Sequence, residues 1–115
     1  MQSIYKELIT SKTGIILPVL QSGKTLESTY NPERDAERKI QSLNISENFL
    51  LILGFGSGIL IRKLIEIFPD SKIFCVEFSK TDIDFLKKIP GNESLIEKIH
   101  IFSKEEMYNS LIQNY

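Results

Sequence analysis

The sequence predicts an α/β fold: an incomplete parallel sheet of about three strands, with an N-terminal β-hairpin and helix ahead of it. Three observations predict it. From Phe49 onward, apolar runs at Phe49–Leu53, Lys72–Glu77 and Lys98–Phe102 alternate with segments of helical periodicity. The first run is apolar throughout, as expected of a strand covered on both faces. A close group of glycines, Gly54, Gly56 and Gly58, separates that run from its helix. Strands joined by helices of about ten residues imply right-handed crossovers and hence a parallel sheet, here in the spatial order 3-2-1.

The elements follow in chain order. Ile4, Leu8 and Ile9 fall at helical spacing, so Gln2–Ile9 is read as a short leading helix. Ile15–Leu20 is apolar and β-prone, Gln21–Lys24 is a turn signal, and Thr25–Tyr30 is expected to run back as the partner strand. Pro18 cannot donate to a ladder and places the first of these at an edge. Asn31 is an N-cap with Pro32 at the first helical position, and the helix should reach about Leu43 with Ala36, Ile40 and Leu43 inward. Tyr30 is expected to staple against its start.

Gly54–Gly58 then forms a turn, and Ile59–Phe68 an amphipathic helix with Arg62, Lys63 and Glu66 outward, closed by Pro69-Asp70. Ser79 or Thr81 caps the next helix, which turns Ile83, Leu86 and Ile89 inward and stops at Pro90-Gly91. Ser103-Lys104-Glu105-Glu106 reads as a capping box for a last helix, Lys104 to about Gln113. Residues 1–45 thus carry the leading helix, hairpin and connecting helix, and residues 46–115 the α/β unit. The two are read as one compact N-terminal domain of a longer protein.

Composition removes several function classes. The 115 residues carry 14 Lys+Arg against 15 Asp+Glu, a net charge of -1, so no basic field marks a nucleic-acid binder. One cysteine, Cys75, and one histidine, His100, leave no metal-site pattern. No apolar run approaches the ~20 residues of a membrane span, and no signal peptide is visible, so a cytoplasmic location is expected. Cys75 lies within an apolar strand and reads as a small buried hydrophobe. His100 alternates with Ile99 and Ile101 and reads as a hydrogen-bonded structural histidine. Arg34 and Arg38 lie one turn apart among Glu33, Asp35 and Glu37, as solvated pairs do. Without a nucleophile–base or paired-carboxylate signature, no catalytic residue is assigned and the isolated chain is expected to be inactive.

The candidate site is the turn Gly54-Phe55-Gly56-Ser57-Gly58 with Glu77, 19 residues beyond Gly58. Glycines at a strand end let backbone approach a ligand, and the helix behind them offers free N–H groups. A carboxylate at the end of the neighbouring strand can accept the hydroxyls of a ribose. A ligand held this way would be a nucleotide or a nucleotide-activated sugar. The dinucleotide fingerprint fails at Ile59, where it needs Gly or Ala. The G-x-G-x-G run is similar to the first motif of Rossmann-like methyltransferases that bind S-adenosylmethionine. Those carry an acid two places before the first glycine, where this chain has Ile52, so S-adenosylmethionine is disfavoured. The same turn also permits close helix-on-strand packing with no ligand at all.

Two stretches together carry a family resemblance: Thr25-Leu26-Glu27-Ser28-Thr29-Tyr30-Asn31-Pro32-Glu33-Arg34-Asp35-Ala36-Glu37-Arg38, and Leu51-Ile52-Leu53-Gly54-Phe55-Gly56-Ser57-Gly58. They resemble the N-terminal region of the motility-associated factor (Maf) glycosyltransferases, related to archaeal 6-hydroxymethylpterin pyrophosphokinases. The resemblance runs from about Gly14 to Tyr115. Ser57 stands where the family often has a larger apolar residue. The resemblance implies a Rossmann-like, three-layer, non-catalytic N-terminal domain of a flagellin-modifying bacterial enzyme. The transferase centre would lie in a downstream catalytic domain, with flagellin as the acceptor. Two other readings remain: a nucleotide or S-adenosylmethionine domain of methyltransferase type, and a structural interaction module whose exposed sheet edge pairs with itself, as a homo-oligomer, or with a neighbouring domain.

Overall fold

The computed structural model describes residues 3–42, 49–104 and 106. Its main sheet has three parallel strands, β3 (Phe49–Leu53), β4 (Lys72–Glu77) and β5 (His100–Ser103), in the order β3-β4-β5. This is the order the sequence implies. The crossovers are α2 (Ile59–Ile67) between β3 and β4, then α3 (Lys80–Leu86) and α4 (Asn92–Glu97) between β4 and β5. Ahead of them stand β1 (Tyr5–Thr10), β2 (Ile16–Leu20) and α1 (Pro32–Ser42). Among the described residues no helix is long and apolar enough to cross a membrane.

The N-terminal region departs from the sequence reading in two places. Residues 5–10 are a strand, not part of a leading helix, and they pair antiparallel with β2 from Tyr5↔Leu20 to Thr10↔Ile16. The hairpin therefore precedes β2 instead of following it, and Thr25–Tyr30 touches β2 only through the bridge Val19↔Thr25. The cause lies in the side chains of that stretch. Thr25 Oγ1 donates to the Glu27 carbonyl at 2.6 Å, and Ser28 Oγ accepts from the N–H groups of Tyr30 and Asn31. Such local bonds compete with a ladder. Helical spacing at Ile4, Leu8 and Ile9 gives way to the need of the apolar β2 for a partner.

α1 starts as expected, with Asn31 Oδ1 accepting from Arg34 N at 3.1 Å, and packs beside α2, where Lys63 Nζ meets Glu37 Oε1 at 2.9 Å. Tyr30 is no staple: it is 57% exposed, with the Lys12 ammonium 5.4 Å above its ring. Ser79 caps α3, accepting from Asp82 N at 3.2 Å. That helix ends at Leu86, short of Pro90, and the chain turns at Gly91 into α4, which no signal in the sequence announces. His100 is exposed and stacks on Phe74 at 4.8 Å between centroids, contrary to the hydrogen-bonded role expected of it. Ser103 Oγ accepts from Glu106 N at 3.2 Å, the first half of the expected capping box. The rest of the expected last helix, and Leu43, lie outside the described residues.

One face of the sheet is buried. Ile73 and Cys75 of β4 join Ile61 and Leu64 of α2, Leu86 of α3 and Leu95 of α4 in one core, to which Tyr5 and Ile40 also belong. Parallel register puts Leu51, Phe74 and His100 in one row of the other face, and Leu53, Val76 and Phe102 in the next. No described element covers that face: Leu51 is 66% and Leu53 80% exposed. The expectation that Phe49–Leu53 is covered on both sides therefore fails for the described residues.

Candidate functional site

The glycine turn closes the top of β3. Gly54, Gly56 and Gly58 all have positive φ, which L side chains rarely adopt. Gly54 N donates to the Val76 carbonyl at 2.9 Å, so the turn begins as an extension of the β3–β4 ladder. Two carboxylates from distant parts of the chain then take its next N–H groups.

The first is Glu77. At the end of β4 it faces the core side, and it is 3% exposed. Its Oε1 accepts from Phe55 N at 2.5 Å, and the Tyr5 hydroxyl lies 3.2 Å from each of its oxygens. The sequence reading placed Glu77 at the strand end as an acid open to the hydroxyls of a ribose. It is instead a buried one, because residue 77 shares the inward parity of Ile73 and Cys75. Burial raises its carboxyl above the ordinary range, opposed by the Phe55 and Tyr5 hydrogen bonds. Tyr5 answers in kind: burial, then the neighbouring Glu77 charge, raises the phenol.

The second is Glu27, from the stretch between β2 and α1. Its Oε1 accepts from Ser57 N at 2.6 Å, and its Oε2 accepts from Ser57 Oγ. Burial raises this carboxyl too, with the Ser57 bonds and then the Lys39 ammonium pulling it back. The seat that backbone N–H groups would offer a ligand anion is therefore filled by the chain's own carboxylate.

Close neighbours account for two of the three glycines, Gly56 and Gly58. A Cβ on Gly56 would stand 2.5 Å from Glu27 Oε1. A Cβ on Gly58 would stand 2.7 Å from Asn92 Oδ1 and 2.9 Å from Leu95 Cδ2 and Phe55 Cε1. Gly58 thus lets α4 press against the start of α2. Asn92 is fully buried, donates to the Leu86 carbonyl at 3.0 Å, and leaves Oδ1 without a partner.

Beside the turn lies a cavity of about 300 Å³, at the lower end of small-molecule sites. Leu26, Asp35, Lys39, Gly54, Gly56 and Leu60 are among the residues that line it, and Glu27 forms part of its wall. Of the site residues expected from sequence, Gly54, Phe55 and Gly56 border this cavity, whereas Ser57, Gly58 and Glu77 do not. Cys75 is fully buried, and its thiol is pushed up to about 12 by burial and the Glu77 charge. Among the described residues no group of three or more His, Cys, Asp or Glu is placed to hold a metal ion.

Sequence reasoning missed Tyr5, Glu27 and Asn92. Glu27 stands inside the first stretch of the family resemblance. The other two are buried polar residues whose partners lie far off or across a turn, and no spacing in the chain announces them. Comparisons with protein-family models, with curated proteins and with solved structures each give no match to this chain.

Proposed function

We propose that the chain is a non-catalytic, Rossmann-like N-terminal domain of a motility-associated, flagellin-modifying glycosyltransferase, working in the cytoplasm. The observation that carries this reading is the meeting of Glu27 with Ser57. It joins the two stretches on which the family resemblance rests into one structural unit. Ser57, the departure from the family pattern, supplies both donors to Glu27, so the departure comes with its own compensation. In this reading the turn is a scaffold that fixes α1 and the core side of the sheet for a downstream catalytic domain. The pure chain turns over neither a nucleotide-activated sugar nor a methyl donor. Interrupting its coding sequence in the host is expected to leave cells non-motile with under-glycosylated flagellin. Motile cells with fully glycosylated flagellin contradict the reading.

The cavity beside the turn favours a second reading, a small-molecule binding domain. There a vicinal diol would meet Glu27 before it could reach the buried Glu77. Calorimetric titration with a nucleotide, a nucleotide-activated sugar and S-adenosylmethionine separates the two. Saturable heat that disappears in Glu27→Ala supports the binding domain, and no heat from any of them supports the scaffold.

A further inference from the structure

The cavity beside the turn carries both signs of charge on an apolar wall. One face of α1 borders it: Pro32, Asp35, Ala36 and Lys39 stand at i, i+3, i+4 and i+7, and all four line the cavity. Asp35 and Lys39 lie one turn apart on that face with the acid N-terminal, the order that favours a helical ion pair. Yet among the described residues no ion pair or hydrogen bond engages either side chain. Glu27 adds a second carboxylate to the wall, its two oxygens already accepting from Ser57. Burial raises that carboxyl, and the Lys39 ammonium is the weakest of the influences that oppose it. A cation bound in the cavity would therefore be attracted by two carboxylates, one of them short of positive charge. Leu26, Ile52 and Leu60 supply the apolar part of the lining.

We propose that this cavity binds a free α-amino acid with an apolar side chain. Asp35 and Glu27 hold its ammonium, Lys39 holds its carboxylate, and its side chain lies against Leu26, Ile52 and Leu60. The match is one of charge, spacing and size. An α-amino acid carries both charges on one carbon, so it fits between an acid and a base one helical turn apart and completes the pair that the chain leaves open. Its side chain leaves water for an apolar wall. A volume of about 300 Å³ suits a ligand of that size and is small for a nucleotide-activated sugar. A nucleotide would also bring phosphates to a wall that already carries two carboxylates, and like charges brought together cost affinity. The inference rests on the second reading above, a small molecule held in this cavity, and names the class of that molecule.

The test is calorimetric titration of the full chain with leucine, leucine amide, isocaproate, glycine and adenosine monophosphate. Leucine is expected to give saturable heat. Leucine amide lacks the carboxylate and isocaproate the ammonium, so each should bind roughly ten- to a hundredfold more weakly. Glycine keeps both charges without the apolar part and should lose roughly tenfold. Lys39→Gln should bring leucine down to the level of its amide without weakening the amide. Asp35→Asn should weaken leucine and its amide without weakening isocaproate. Both side chains reach solvent, so neither substitution empties the core. Heat from adenosine monophosphate with none from leucine would overturn the amino-acid ligand and leave the binding reading standing. Leucine heat untouched by both variants would overturn the proposal by placing its site elsewhere. No heat from any of the compounds would overturn the inference and the binding reading together.

Discussion

The hydroxyl of Tyr5 lies 3.2 Å from each carboxylate oxygen of Glu77, 72 residues along the chain. Both side chains are buried, and Glu77 Oε1 also takes the Phe55 N–H. One carboxylate therefore ties together the first strand, the central strand of the main sheet and the glycine turn. Glu27 does the same for the segment before α1.

Tyr5→Phe keeps the ring, and with it the stacking on Phe85 at 5.6 Å, and removes only the hydroxyl donor. A buried carboxylate that loses a hydrogen bond costs about 1–3 kcal/mol. Urea denaturation of the variant should show that loss in its midpoint with an unchanged slope. An unchanged midpoint would mean that the Tyr5–Glu77 contact contributes nothing.

The three glycines of the turn should not respond alike. At Gly54 the nearest atom to an added Cβ is 3.8 Å away, so Gly54→Ala carries only the left-handed backbone cost, roughly 1–2 kcal/mol. Gly58→Ala adds collisions with Asn92, Leu95 and Phe55, and should cost on the order of 3 kcal/mol or more. Equal melting temperatures for the two variants would remove the packing role given to Gly58.

Acidification should stabilise the fold through Glu27 and Glu77. Burial raises both carboxyls above their ordinary value of 4.5. A carboxyl raised in the folded chain holds its proton more tightly there than when unfolded. Its contribution is full below the ordinary value and lost as pH rises through the folded one. Calorimetric melting from neutral pH down toward the ordinary carboxylate range should show this gain, flattened in Glu27→Gln and Glu77→Gln. Parallel profiles for the native chain and both variants would show that neither carboxyl titrates differently in the fold.

Cys75 should be silent toward thiol reagents. It is fully buried, and its thiolate is disfavoured by burial and by Glu77. Ellman's reagent is expected to find no thiol in the folded chain and one after denaturation. Rapid reaction in the folded chain would place Cys75 at the surface.

The parallel sheet was legible in the sequence because its signals are local. Apolar runs, a glycine turn, and the caps Asn31 and Ser79 each lie within a few residues of the element they define. The N-terminal region was not legible for the opposite reason. Whether residues 5–10 become strand or helix depends on a partner, β2, and on a hydroxyl contact to Glu77 across the fold. α4 escaped because Pro90-Gly91 marks an end equally well whether loop or helix follows. In the site, the turn was visible but its occupants were not. A carboxylate at residue 27 bonding residue 57, or one at 77 pointing inward, leaves no periodic trace.

Two of the chain's own carboxylates, Glu77 and Glu27, hold the glycine turn shut. The most direct measurement is the unfolding free energy of Glu77→Ala, obtained by urea denaturation beside the native chain. If Glu77 is the buried tie described above, the substitution leaves the Phe55 N–H and the Tyr5 hydroxyl unpaired inside the protein. Stability should then fall by about 2–4 kcal/mol, with no ligand present. An unfolding free energy equal to that of the native chain would contradict this and leave Glu77 free to accept the hydroxyls of a ligand.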